Sequence, residues 1–599
     1  MSQGVSRCAT AKPRNLATIL LFVIAGTAAA RVVRVEVTSR ADYWNGAYER
    51  IQGRVTYSLD PKNPHNAAIV DLTQAVEFTG DVDIVRPKNG GNGVLFVNVP
   101  NRGGRFFIRD TNPDEWYLRQ GFTLAEVGWQ FDVRADSRLL RLDTPVAKGI
   151  RGRVRSDFIV SAKTFDHSVA HIIQGNIGGT GYAVADAKDA VLTERDAPAA
   201  PRRTISPRKW RFTDDRTVHF DDGFVPGRIY EVIYTAADPV IVGAGLAAVR
   251  DFASYCKNDP AAVAPVKLAY AMGISQTGRF LRHLVWQGFN ADEAGRKAYD
   301  ALLIYVAGAG RGNFNHRFAQ PSRDAQPLVP AMYPVDIPPF TDDGLLERAR
   351  AEDVVPKIFY VNTAYEYWSR GASLIHTTPN GARDVDPPAE VRAYLVAGLG
   401  HVAGPFPPAR DAAAQLPVNP NNIVHLRHGF AAALDAWTRN GVAPPPSRLP
   451  KIADGTLVPV ASLPKSVAPR FAYNVYKIDL GIEPPPVHGT YTNLVPQAGP
   501  DGNELAGVRI PELQVPVATY TGWNLREPGT GFSEYRASFV GSFIAWPKDE
   551  VLARYRTRDE YFGRFTDAAL ALVRERFFVA DDLPAILERG AKLWEAVVR

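Results

Sequence analysis

The chain has 599 residues, 46% apolar and 22% charged, with 69 Lys and Arg against 63 Asp and Glu for a formal charge of +6. That is ordinary for a globular protein and enough for one large elaborated domain or two. Basic and acidic residues are interleaved, so no basic stripe points to a nucleic-acid partner.

The first thirty residues form a unit of their own. Arg7, Lys12 and Arg14 precede the apolar run Leu16 to Gly26, and Ala28, Ala29 and Ala30 supply small residues for cleavage. That order predicts a signal peptide over 1–30, a mature chain starting near Arg31, and a periplasmic or extracellular location. The apolar run is shorter than the roughly 20 residues of a membrane span, and no other segment is long and apolar enough to be one, so no stable span is expected after cleavage. Cleavage removes Cys8 and leaves Cys256 alone in an apolar helical stretch, where it reads as a small buried hydrophobe.

Strand-like runs are predicted at 93–99, 122–127, 228–234, 266–272, 301–306, 357–361 and 391–396, mostly β-branched or aromatic-rich and bounded by Gly or Pro. Helices are predicted at 243–255, 278–287, 370–376 and 424–440, the last closed by Asn440-Gly441 before Pro444. The alternation indicates an α/β fold with a mostly parallel sheet. Two stretches near 138–227 and 308–344 are too long for plain connections and read as lid-like insertions. The predicted organisation is a core over 31–446 and a C-terminal extension over 447–599 that packs on it.

The segment 267–281 reads as strand, turn, helix, with Gly273-Ile274-Ser275-Gln276-Thr277-Gly278 at the turn. A serine there is held in strained backbone with its hydroxyl exposed, next to the free N–H groups of a helix start. The pattern departs from G-x-S-x-G because Thr277 occupies the second glycine position and Gly278 follows it. A serine hydroxyl needs a base and an orienting carboxylate, and with such a turn the acid and then the histidine follow later strands. The predicted strand 391–396 runs through Gly398 and Gly400 into His401, the expected base; the strand 357–361 leads to Glu366, the expected acid. Asp384 in a polar loop is the rival acid, and a helix-capping role for Glu366 stays open. His376, His425 and His428 read as solvated or capping residues, and His283 points down its helix away from Ser275. The expected oxyanion donors are the N–H of Gln276 and one from Gly103 or Gly104, in the turn after the strand 93–99. Arginines and aromatics in 308–318 suggest either a pocket for a flat anionic group or core packing.

Through NRGG (101–104), GISQTGRF (273–280), AGAGRGNFNHRFAQP (307–321), AYEYW (364–368), GLGH (398–401) and TYTGWNLR (519–526), the sequence resembles a family of exported α/β-hydrolase-domain proteins. The resemblance runs over nearly the whole mature chain. It implies an α/β-hydrolase fold and a catalytic triad on Ser275, Glu366 and His401, and names no substrate. The serine-glutamine pair after a glycine is also similar to the elbow of cutinases and acetyl xylan esterases.

The expected activity is therefore carboxylic-ester hydrolysis through an acyl-enzyme, on a small-molecule or polymer ester. An acyltransferase, a peptidase and a catalytically silent binding scaffold are the alternatives. No metal-ligand cluster or dinucleotide fingerprint is visible, so no cofactor is expected.

Overall fold

A computed structural model describes residues 32–136, 138–170, 172–173, 177–322, 337–463, 475–478 and 486–598. The signal peptide predicted over 1–30 and part of the second insertion lie outside the described residues.

The centre is a mixed sheet. Its nine main strands are β1 (Val32–Tyr43), β2 (Tyr48–Leu59), β3 (Val76–Pro87), β4 (Val94–Asn98), β5 (Thr123–Val127), β6 (Leu268–Ile274), β7 (Ala301–Tyr305), β8 (Lys357–Thr363) and β9 (Val391–Val396), in the spatial order β1-β2-β3-β5-β4-β6-β7-β8-β9. Strands β4 to β9 run parallel with β5, whereas β1, β2, β3 and β5 pair antiparallel. A short piece, Leu142–Asp143, adds to β3.

The parallel strands read as unbroken apolar runs because both faces are covered. Along β6, Ala269 and Ala271 enter one core while Tyr270 and Met272 enter the other. The first core packs on α1 (Ala244–Asn258) and α2 (Gln276–Trp286); the second packs on α4 (Val424–Asn440) and the C-terminal helices α5 (Arg558–Arg574) and α6 (Leu583–Val598). A short helix, α3 (Ala364–Ser369), follows β8 directly. Cys256 is buried in the first core, which pushes its thiol pKa up. Among the described residues no helix is long and apolar enough to cross a membrane.

Three sequence expectations are corrected. The apolar strand predicted at 228–234 is real, spanning Ile229–Ala237, but it lies outside the central sheet. It pairs with Arg151–Phe158 and Asp186–Arg195 in a separate antiparallel sheet, whose apolar face shares a core with the smaller sheet of Thr164–Ser168, Trp210–Phe212 and Thr217–Phe224. The helix expected over 370–376 is only a tight turn at Ala372–Ile375. The long strands β1, β2 and β3 had no counterpart among the predicted elements.

Residues after 446 run across the edge and one face of the central sheet. Arg448 and Val508 bond to the outer edge of β9 at Ala393, Leu395 and Ala397, so that edge is not left open. The stretch between α5 and α6 is tied down by a buried charge. His428 on α4 shares its two ring nitrogens between Asp582 (2.8 Å) and Asp114 (3.0 Å) and stacks on Trp116 at 5.1 Å. It was expected to be solvated or capping; instead it is buried and ion-paired.

Burial disfavours the His428 charge, but the bonds to Asp114 and Asp582 outweigh it and raise its pKa from 6.5 to about 9. A folded-state value above the unfolded one means a stabilisation complete below about pH 6.5 and lost as pH rises through about 9, of order 2 to 3 kcal/mol. Wild type should therefore melt several degrees above His428→Gln at about pH 6, and thermal scans should show the gap closing by roughly pH 9.5.

Candidate active site

Strand β6 ends in the turn that carries Ser275. Ser275 sits at φ +61°, ψ −112°, and its N–H donates to the Tyr305 carbonyl at 2.9 Å, so β7 holds the turn in place. Two close approaches explain the glycines. A Cβ on Gly273 would meet the Thr277 carbonyl oxygen at 2.3 Å, and one on Gly278 would meet the Tyr305 carbonyl oxygen at 2.8 Å. The glycine falls three residues after the serine because position 278 is the one pressed against β7. Thr277 is suited to its own place, its hydroxyl bonding the backbone of Ile274 (2.9 and 3.2 Å). Helix α2 begins at Gln276, so the helix start lies directly beside the hydroxyl.

The structure brings Ser275, His401 and Glu366 together. His401 Nε2 lies 2.9 Å from Ser275 Oγ and its Nδ1 lies 2.6 Å from Glu366 Oε1. Glu366 is fully buried, and its Oε2 accepts the Thr363 N–H (2.9 Å) and hydroxyl (2.6 Å). It thus caps α3 with one oxygen and faces the imidazole with the other, so the capping and orienting roles coexist. Asp384 sits elsewhere, accepting the N–H groups of Ile452 (2.9 Å) and Ala453 (3.0 Å). His376 is buried against the Tyr367 hydroxyl at 2.9 Å, and burial lowers its pKa to about 4; burial likewise takes His283 to about 3.

The C-terminal region builds the other side of the His401 loop. The Val402 N–H donates to the Phe539 carbonyl at 3.1 Å, and the Phe539 N–H donates to the Tyr365 hydroxyl at 2.9 Å. The Phe539 and Tyr365 rings lie 5.2 and 5.5 Å from the imidazole. Below the loop, buried Glu504 accepts the Gly398 N–H at 2.8 Å, and Asn419 donates to the Gly398 carbonyl at 2.6 Å. Sequence reading missed these supports; Glu504 lies in the polar, glycine-rich run 497–507, which carries no signal of burial.

On the oxyanion side, Asn101–Gly104 forms a tight turn with Arg102 and Gly103 at positive φ. Asn101 donates its side-chain amide to the Ile274 carbonyl at 3.2 Å, which docks the turn on the end of β6 beside Ser275. Of the two expected glycine donors, Gly104 spends its N–H on the Asn101 carbonyl within the turn (3.0 Å), which leaves Gly103. The Gln276 side chain is buried and donates to the Pro321 carbonyl at 2.6 Å, which leaves its backbone N–H as the expected donor. The anion pocket suggested at 308–318 is replaced by packing and pairing. Arg311 lies 3.5 Å over the Trp286 ring, Arg317 pairs with Asp71, and Phe314 packs on Trp129 and Phe280.

The model of the alpha/beta hydrolase domain matches residues 213–588. The chain belongs to this alpha/beta hydrolase family. No curated protein matches it. Among solved structures it is similar to a glucuronoyl esterase from Solibacter usitatus, at 12% identity and TM-score 0.25, covering 62% of this chain and 82% of that one. A CE15 glucuronoyl esterase from Teredinibacter turnerae T7901 is similar at 14% identity and TM-score 0.24, covering 59% and 64%. Acetyl xylan esterase 1 from Thermoanaerobacterium sp. JW/SL YS485 is similar at 12% identity and TM-score 0.20, covering 45% and 52%, so the chain spans about half of that enzyme. At these scores the structural likenesses carry no argument about activity.

The glycines behind the His401 loop are as tightly placed as those at Ser275. A Cβ on Gly541 would meet the Thr521 carbonyl oxygen at 2.1 Å, with the Gly400 nitrogen 3.2 Å away. Gly541→Ala should destabilise the fold by about 2 kcal/mol or more, read as a lowered denaturation midpoint.

Proposed function

We propose that this α/β-hydrolase-family chain is an exported serine hydrolase that cleaves carboxylic esters through an acyl-enzyme. The observation that carries the reading is the unbroken line from Ser275 Oγ through both ring nitrogens of His401 to buried Glu366, at 2.9 and 2.6 Å. These are the distances at which a base can take a hydroxyl proton while a carboxylate fixes its tautomer.

His401 Nε2 removes the Ser275 proton as Oγ attacks the ester carbonyl, and the Nδ1 proton stays hydrogen-bonded to Glu366. The tetrahedral oxyanion is received by the Gln276 N–H, at the positive end of α2, and by an N–H of the Asn101–Gly104 turn, for which Gly103 is the assignment. Collapse expels the alcohol, which takes its proton from His401. Water then attacks the acyl-enzyme by the same route and frees Ser275. Binding of the Glu366 second oxygen to Thr363 keeps the carboxylate from rotating away during both cycles.

A fluorophosphonate probe should label wild type and not Ser275→Ala, with the modified peptide identified by mass spectrometry. Ester turnover in Ser275→Ala should fall by about 10⁶-fold; activity within tenfold of wild type would remove Ser275 from the role.

Glu366→Gln should fold, because its amide oxygen can still cap α3, but its NH₂ would face Nδ1 and favour the wrong tautomer. The kcat should drop by about 10⁴-fold, while Asp384→Asn stays within a few-fold of wild type. The reverse ranking would transfer the acid to Asp384, and small losses in both would indicate a Ser–His pair.

A further inference from the structure

A row of polar side chains crosses the strand ends beneath the oxyanion turn. Paired neighbours run from Gln52 on β2 to Asp83 on β3, Glu126 on β5, Asn98 on β4 and Met272 on β6, three residues before Ser275. Glu126 is fully buried at the centre of this row. Its Oε1 accepts the N–H groups of Phe106 (2.7 Å), Phe107 (2.6 Å) and Ile108 (3.4 Å), and its Oε2 accepts the side-chain amide of Asn98. One carboxylate therefore grips the chain on both sides of residues 99–105, the segment that contains Asn101–Gly104.

We propose that Glu126 is a positioning residue of this site, whose ionised carboxylate fixes the loop presenting the second oxyanion donor. The proposal rests on the serine-hydrolase reading above and adds a second ionisation to it: turnover needs Glu126 charged as well as His401 neutral.

The reasoning is one of donors and acceptors. Three backbone N–H groups and an amide all point at the carboxylate, a set that suits an acceptor-only group. A proton on Oε1 would oppose one of its three donors, and a proton on Oε2 would weaken the bond from Asn98, so either loosens one end of the loop. Burial, the strongest influence, pushes the Glu126 pKa up to about 7, although Asn98 and the backbone N–H groups favour the charged form. Its ionisation thus falls where a hydrolase would operate.

The charged groups around it are on β2, β3, α4 and the loop itself. Asp83 stands beside it on β3 and is neutralised by Arg50 on β2 (2.7 Å) and Arg105 of the loop (2.8 Å). Arg427 of α4 and Arg109 of the loop lie over the Phe106 ring at 4.6 and 5.6 Å. The pairing of Asp83 with two arginines leaves Asn98 and the backbone as the direct partners of Glu126.

The test is the pH dependence of kcat/KM on p-nitrophenyl acetate, with fluorophosphonate labelling in parallel. Wild type should lose activity toward acid with a logarithmic slope approaching two, one of the protons being that of Glu126. Glu126→Gln should reduce the slope to one and lower kcat by about 10- to 100-fold, with KM changed by less than about threefold, because a shifted oxyanion donor is felt in the transition state. Asn98→Ala removes a bond that favours the charged form and should move the acid limb up by roughly half a unit or more. This second variant decides the matter if Glu126→Gln does not fold: an unmoved acid limb in Asn98→Ala would overturn the proposal. A wild-type slope of one, with Glu126→Gln within about twofold of wild type and Ser275 still labelled, would overturn it and leave the ester reading standing. A wild type that neither turns over ester nor takes the label would overturn both.

Discussion

The site depends on the backbone of one residue, Ser275. A non-glycine residue at φ +61° is uphill by about 1 to 3 kcal/mol, and only its surroundings keep it there. Here β7 accepts its N–H, two glycines allow the strand and α2 to close on each other, and Thr277 bonds back to Ile274. The same turn aims the hydroxyl toward His401 and sets the first N–H groups of α2 beside it. Relaxing the serine to an ordinary conformation would lose the His401 contact and the helix start together.

Support for the histidine comes from a different part of the chain. His401 follows β9, but its loop is closed by Phe539 and Gly541 and underpinned by Glu504 and Asn419. Packing at Gly400 and Gly541 leaves no space for a side chain at the crossing. The last 150 residues therefore contribute geometry to the imidazole as well as cover to the sheet. Glu366 couples this arrangement to β8, since the oxygen that caps α3 and the oxygen that meets His401 belong to one rigid carboxylate.

The parts of this arrangement readable in sequence were those governed by short-range pattern. Strands β4 to β9 announce themselves as apolar runs because both faces are buried, and the elbow stands out as glycine-flanked serine between strand and helix. His401 and Glu366 could be picked out because each follows a strand end. The strand Ile229–Ala237 misled because its own sheet is also covered on both sides, one face by an apolar core and the other by buried charge at Arg155 and Glu231. Strands β1 to β3 escaped because long antiparallel strands with an exposed face carry many charges, as in the sequence VVRVEVTSRADY of β1. Glu126 and His428 were invisible for another reason: their partners lie 18 to 28 and 154 to 314 residues away, and only the fold joins them.

The extra antiparallel sheets between β5 and β6 have a topological consequence. Arg151 and Ala237, at the two ends of this segment, are direct partners across an antiparallel pair, so the chain leaves and rejoins the hydrolase framework at a single doorway. Of the buried residues in its apolar core, all but Phe318 belong to the segment itself, and its strands pair outside the central sheet. A change of length inside such a segment leaves the spacing of its two ends unaltered, so β6 need not move to accommodate it.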